Sequence, residues 1–175
     1  TPFTKISKTK AYGAEIILTG RTLDESKLTV DRLINENGFQ LVHPFDDPHI
    51  ITGQGTIGLE IMDEVPNLDY LVIPIGGGGL ISGISIAAKS INPDIKIIGV
   101  ESELYPSMSR SLAGLNLQSG GDTLAEGIAV KTPGELTKPI VKELVDKIIL
   151  VNEQQIEWAI SALIEHQSII SEGAG

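Results

Sequence analysis

The chain contains no cysteine, which excludes disulfides, thiolate metal sites and a cysteine nucleophile. Aromatic residues make up only 4% of it, so aliphatic side chains must fill the core. No apolar run approaches the roughly 20 residues that a membrane-spanning helix needs. The first residues, Thr1-Pro2-Phe3-Thr4-Lys5, lack the apolar stretch of a signal peptide. Positive charge is also scarce. With 13 basic and 23 acidic residues, the net charge of −10 argues against nucleic acid and anionic lipid as partners. The expectation is a cytoplasmic protein with no membrane partner.

What is present fits a turn-rich α/β protein: 41% hydrophobic residues, 19 glycines and 9 prolines. Residues 4–12 could make a helical turn or two, closed by Gly13, and Ala14 to Leu18 reads as a short strand. From Thr22, Leu23, Leu28, Val30, Leu33 and Ile34 fit one helix face that Asn37-Gly38 stops. With Phe39 to Val42 as a second strand, this predicts one βαβ unit before residue 43. The loop His43-Pro44-Phe45-Asp46-Asp47-Pro48 is the best candidate for a domain crossing.

Asp47 before Pro48 reads as a helix N-cap. The predicted helix over 48–64 carries Gly53, Gly55 and Gly58, each costing about 1 kcal/mol relative to Ala. Close packing against another backbone would offset that. Further strands are expected at 70–75, 95–100 and 148–151, with helices at 79–91, 106–112 and 133–146 and a last one capped by Asn152. Residues 123–127 read as irregular. This alternation predicts a mainly parallel twisted sheet with helices on both faces.

The centre of the pattern is Leu71-Val72-Ile73-Pro74-Ile75-Gly76-Gly77-Gly78-Gly79-Leu80-Ile81-Ser82-Gly83. An apolar strand runs into four glycines and then a helix, which places bare N–H groups at a helix N-terminus. That is a site for an anion, best read as a phosphate. A dinucleotide fits poorly. Gly77, Gly79 and Gly83 give only G-x-G-x-x-x-G, although Glu101 stands where a ribose-binding acid would. A Walker loop is excluded, since no Gly-Lys-Ser/Thr follows.

The segment Pro74 to Gly83 resembles the cofactor-phosphate loop of fold type II pyridoxal-phosphate enzymes, most of all threonine/serine dehydratases and serine racemases. The likeness extends from Thr1-Pro2, Lys5-Ile6 and Tyr12-Gly13-Ala14 through Val42 to Pro48 and Gly53 to Glu60. It continues in Thr123 to Gly127, Glu143 to Asp146 and Ser171 to Gly175. The resemblance implies an ammonia-lyase that deaminates L-threonine to 2-oxobutanoate, with pyridoxal 5'-phosphate as cofactor. It implies that Gly76, Gly77, Gly78, Gly79 and the Leu80 N–H hold the phosphate. It also puts Gly127 and Glu172 beside the ring and Glu126 near the substrate, a small amino acid such as threonine or serine. A homo-oligomer is implied as well.

Three departures limit what the chain does alone. The family's Ser-Phe-Lys-type Schiff-base motif, its asparagine-containing substrate loop and its serine-glycine-glycine-asparagine stretch are missing. No catalytic residue is therefore assigned, and the chain is expected to be an inactive internal fragment. In this reading residues 1–42 close the small domain, and residues 43–175 form a large cofactor-binding domain incomplete at its C-terminus. The alternatives are a noncatalytic phosphate- or nucleotide-binding module and a dinucleotide-dependent oxidoreductase.

Other candidates have plainer readings. Glu101 corresponds to a metal-ligand glutamate in some family members, but the companion positions here are Tyr105 and Ser107. Losing a carboxylate weakens a hard-cation site, so Glu101 reads as an ordinary polar strand end. His43 and His49 read as loop residues, His166 as solvent-facing and Trp158 as core or interface packing. Ser82 and Ser85 have no His or Asp partner in the sequence to make a nucleophile.

Overall fold

The computed structural model describes residues 3–20, 23–115 and 119–175; Thr1-Pro2 and the expected helix start at Thr22 lie outside them. The chain divides into two units, Thr1–Leu41 and Val42–Gly175. The first holds helices α1 (Phe3–Ala11) and α2 (Leu23–Asn37). Gly13 ends α1 by donating to the Lys10 carbonyl at 2.9 Å, and Gly38, at φ +69°, ends α2 on the Ile34 carbonyl.

The strands expected at 14–18 and 39–42 do not form, so the predicted βαβ unit is absent from the described residues. Extended chain becomes a strand only when a neighbour takes its N–H and C=O groups, and neither segment has a ladder partner. None of the unit's described residues is buried, and Phe3, Tyr12 and Leu28 are exposed. About forty residues are too few to enclose a core.

The second unit is the α/β body. Its elements are α3 (Pro48–Glu64), β1 (Tyr70–Pro74), α4 (Gly79–Ile91), β2 (Lys96–Ser102), α5 (Ser107–Leu112), α6 (Thr137–Leu144), β3 (Lys147–Val151) and α7 (Glu153–Gln167). The three strands pair in parallel in the order β1-β2-β3. The register places Tyr70 opposite Lys96 and Ile98 opposite Lys147. Capping signals act as expected. The Asp47 carboxylate accepts from the His49 N–H at 2.7 Å with Pro48 at the first turn, and Asn152 forms a capping box with Gln155.

Alternation along the strands sends Leu71, Ile73 and Ile97 into a core shared with Met62, Ile81, Ile84 and Val141. Helices α3 and α4 cover this face backbone against backbone. A Cβ on Gly55 would stand 3.1 Å from the Gly83 carbonyl oxygen, and one on Gly58 would stand 3.0 Å from that of Ile84. Gly53 does not join this contact, since nothing lies within 4 Å of where its Cβ would be. On the other face, α7 looks across a cavity towards Val100 and Val151.

Helix α6 is shorter than the predicted 133–146. Residues 133–134 are irregular and 135–136 form a turn, and the Gly134 N–H is bonded to the Gly77 carbonyl at 3.0 Å.

Candidate functional site

The four glycines link β1 to α4, and a side chain at any of them would meet a neighbour. A Cβ on Gly76 would stand 3.1 Å from the Ile128 Cα and from the Val130 Cγ2. One on Gly77 would overlap the Phe45 ring, and one on Gly79 would come within 2.8 Å of the Phe45 carbonyl oxygen. Gly78 caps α4 at φ +97°, where its Cβ would stand 2.7 Å from Met108 Cε and Thr137 Oγ1. Both conformation and space therefore demand glycine.

The direction of the loop's polar groups is set by the Gly77 carbonyl. It accepts from the Gly134 N–H at 3.0 Å and from the Thr137 hydroxyl at 2.7 Å. Among the described residues, the N–H groups of Gly76, Gly77 and Gly78 have no acceptor. Those of Gly79, Leu80 and Ile81 lie in the first turn of α4, where no intrahelical acceptor exists. Gly77, Gly78 and Gly79 are buried. Buried N–H groups left unpaired cost about 1–3 kcal/mol each, so this cradle is built for an acceptor, and the helix dipole favours an anionic one. The phosphate of pyridoxal phosphate fits that demand.

Two clamps hold the cradle, and Asp46 is the residue that sequence reasoning missed. Its carboxylate accepts from the N–H groups of Glu135 and Leu136 at 2.9 Å and of Thr137 at 3.4 Å. It thereby caps α6 from about ninety residues away. His43 shapes the same loop: its Nδ1 accepts from the Asp46 N–H at 2.8 Å, and its ring meets Phe45 edge-on at 4.8 Å. No local signal marks Asp46 as a cap, because the helix it caps is distant in sequence.

A second cluster lies beyond Pro74. Residues 126–128 form a short 3-10 turn, and a Cβ on Gly127 would stand 3.0 Å from Glu172 Oε1 and from Ala174 Cβ. Gly127 and Glu172 are thus neighbours, while Glu126 is exposed at the start of the turn. Glu153 ties this region down, accepting from the Thr123 hydroxyl at 2.7 Å and the Leu124 N–H at 2.8 Å. An apolar cavity of about 220 Å³ opens here, lined by Pro74, Val100, Ile128, Ile156 and Glu172. Ile128 touches both this cavity and Gly76, so the cradle and the cavity adjoin.

Glu101 stands apart from both and needs a correction. It is fully buried, and its two oxygens accept from the N–H groups of Met108 at 2.7 Å and Ser109 at 3.0 Å. It is therefore an internal cap for α5, not an ordinary polar strand end. Burial raises its carboxyl above the usual range, and the two amide bonds oppose the rise. Among the described residues no three acidic or histidine side chains gather as a metal site. Ser82 and Ser85 are buried, and among the described residues their hydroxyls have no partner. Trp158 is 73% exposed, so it is no part of the core.

A parallel sheet with a glycine cradle at the carboxyl end of β1 defines a phosphate-binding α/β protein. More particularly, the profile of the pyridoxal-phosphate dependent enzyme family matches residues 1–175, and the chain belongs to that family. It is 50% identical to the L-threonine ammonia-lyase of Thermotoga maritima, over 99% of this chain and 44% of that protein. It is 47% identical to the L-threonine dehydratase catabolic TdcB of Staphylococcus aureus, over 99% of this chain and 51% of that protein. The chain thus spans about half the length of the curated relatives it matches. Among solved structures it is similar to maize serine racemase, with a TM-score of 0.91 and 34% identity over 98% of this chain and 54% of that one. The processed form of threonine deaminase isoform 2 from Solanum lycopersicum gives 0.89 and 38%, over 99% of this chain and 48% of that one.

Proposed function

We propose that the chain supplies the phosphate-holding part of the active site of a pyridoxal-phosphate-dependent threonine/serine dehydratase. In this reading the whole enzyme deaminates L-threonine to 2-oxobutanoate and ammonia. The observation that carries it is the buried glycine cradle, whose unpaired N–H groups adjoin an apolar cavity. The names of the relatives support the choice of substrate. Neither the noncatalytic module nor the dinucleotide-dependent oxidoreductase is favoured by the family match.

When bound, pyridoxal phosphate supplies the electron sink that makes β-elimination of a hydroxyl from an amino acid possible. The chain's own residues bind and orient. Gly76, Gly77, Gly78, Gly79 and the Leu80 N–H hold the phosphate oxygens, aimed by the two bonds to the Gly77 carbonyl. The cavity walls Pro74, Val100 and Ile128 would shield a bound ring from water, and Gly127 and Glu172 would stand beside it. Glu126, exposed beside Gly127, is the residue that would meet the substrate in this reading. The lysine that would hold the aldehyde comes from sequence outside these residues. So residues 1–42 act as part of the small domain, and residues 43–175 as most of the large one. Assembly as a homo-oligomer in the cytoplasm goes with this reading.

The test is the full-length protein, assayed for 2-oxo acid and ammonia from L-threonine and L-serine. Both products should appear, and Gly77→Val should abolish cofactor retention. A protein that retains pyridoxal phosphate yet releases no 2-oxo acid from either substrate would sink the dehydratase reading. Tight NAD binding without pyridoxal phosphate binding would favour the oxidoreductase.

A further inference from the structure

The glycine cradle is aimed by a chain of hydrogen bonds that begins well outside it. The Gly77 carbonyl is held by the Gly134 N–H and the Thr137 hydroxyl. That segment is held in turn by the Asp46 carboxylate, which accepts from the N–H groups of Glu135, Leu136 and Thr137. What fixes Asp46 is His43, a half-buried residue of the same loop. Its Nδ1 accepts from the Asp46 N–H at 2.8 Å and from the Phe45 N–H at 3.3 Å. The edge-on contact with the Phe45 ring sets the plane of the imidazole, and Phe45 itself lies against Gly77 and Gly79.

These bonds dictate the chemical state of the ring. A backbone amide nitrogen donates and does not accept, so Nδ1 must offer its lone pair and the ring proton must sit on Nε2. A protonated imidazole carries an N–H on both nitrogens and has no acceptor left. The Asp46 and Phe45 amides would then face a third donor. The charged groups on the loop and on the elements that meet it are Asp46, Asp47, His49 on α3, and Glu135 and Lys138 at the start of α6. The glycine loop and the first turn of α4 bring none. Both aspartates are taken by backbone amides, and Glu135 pairs with Lys138 at 2.7 Å. Among the described residues none of these groups bonds the His43 ring.

We infer that His43 is a positioning residue of the glycine cradle, and that the cradle keeps its aim only while the ring is neutral with Nδ1 bare. With the ring neutral, Asp46 holds the start of α6, and Gly134 and Thr137 hold the Gly77 carbonyl. The loop amides then stay turned towards their anion. With the ring protonated, Asp46 loses its anchor and the hold on the anion weakens, so the effect grows as pH falls. The consequence for pyridoxal phosphate rests on the dehydratase reading. The link from His43 to residues 134–137 does not.

The experiment is hydrogen-exchange mass spectrometry of the full-length protein without added cofactor, read in peptides covering residues 133–138. It is run between about pH 8 and pH 5, where imidazole takes up its proton, with rates corrected for the intrinsic pH dependence of amide exchange. Protection of these peptides should fall about tenfold across that range, while β1 and β2 stay level. His43→Leu has no acceptor and should exchange about tenfold faster than the unsubstituted protein at the upper end of the range. His43→Asn places its Oδ1 where Nδ1 stands and does not titrate, so it should restore the protection and hold it level across the range. Pyridoxal phosphate retained through gel filtration should be lowest in His43→Leu, and should fall more steeply with pH in the unsubstituted protein than in His43→Asn. The inference is overturned if His43→Leu leaves residues 133–138 as protected as before. It is equally overturned if His43→Asn does no better than His43→Leu, if His43→Asn keeps the full pH dependence, or if all three proteins retain the cofactor alike. Should exchange follow the expected order while none of the three retains pyridoxal phosphate, the link to residues 134–137 stands and the dehydratase reading falls.

Discussion

Three carboxylates each hold backbone amides, and each gives a residue-scale prediction. Asp46 accepts from three amides at the start of α6 and adjoins Phe45, which covers Gly77. Asp46→Ala should cost about 2–4 kcal/mol in urea unfolding, as more than one charge-assisted bond is lost. It should also weaken cofactor retention in the full-length protein. Glu101→Ala leaves the Met108 and Ser109 amides unpaired in a buried place and should cost a similar amount, whereas Glu101→Gln should cost less by keeping one acceptor. Asp146 accepts from the Ile97 N–H at 3.0 Å and pairs with Lys89 and Lys96, each at 3.1 Å. The Ile97 bond first, and then the lysines, hold its carboxyl at about 2 against an ordinary 3.8. The folded value is depressed, so the contribution is complete above pH 3.8 and is lost as pH falls towards 2. Asp146→Asn should therefore cost about 1 kcal/mol at pH 7, allowing for partial exposure, and nothing near pH 2. Urea midpoints measured across that range would check it.

At the scale of elements, the glycines of α3 and α4 explain why two helices with poor intrinsic propensity persist. Gly55 and Gly83 remove the side chains that would hold the helices apart, and the close approach buries Ile51, Met62, Ile84 and Ala88. A Cβ on Gly83 would come within 2.6 Å of the Gly55 nitrogen, so Gly83→Ala should cost about 1–3 kcal/mol through forced separation. An equal-stability result in thermal unfolding would contradict this contact. Most of these elements are legible in the sequence. Asp47-Pro48, Asn152 and the β-branched run before Gly76 act within a few residues of one another, which a linear reading can follow. The strands expected at 14–18 and 39–42 failed because a strand is a relation between segments, and propensity describes only one.

At the scale of the whole molecule, stability is divided unevenly. The Thr1–Leu41 unit has no buried residue among those described, while α3, α4, β1 and β2 enclose the core of the second unit. Hydrogen exchange should be fast throughout α1 and α2 and slowest in β1, β2 and α4. Strong protection in α2 of the isolated chain would contradict that division. The sequence by itself determined the strand, glycine loop and helix at residues 70–91, and with them a cradle of backbone amides, because those signals are local. It also carried the family likeness, since order and spacing of motifs survive without coordinates. Only the tertiary structure decided where the cradle's amides point, through the Gly77 carbonyl held by Gly134 and Thr137. It alone set Gly127 beside Glu172, Asp46 on α6 and Glu101 on the amides of α5. These pairings join residues remote along the chain, and hydrogen-bond satisfaction in a packed interior, which no periodicity encodes, selects them.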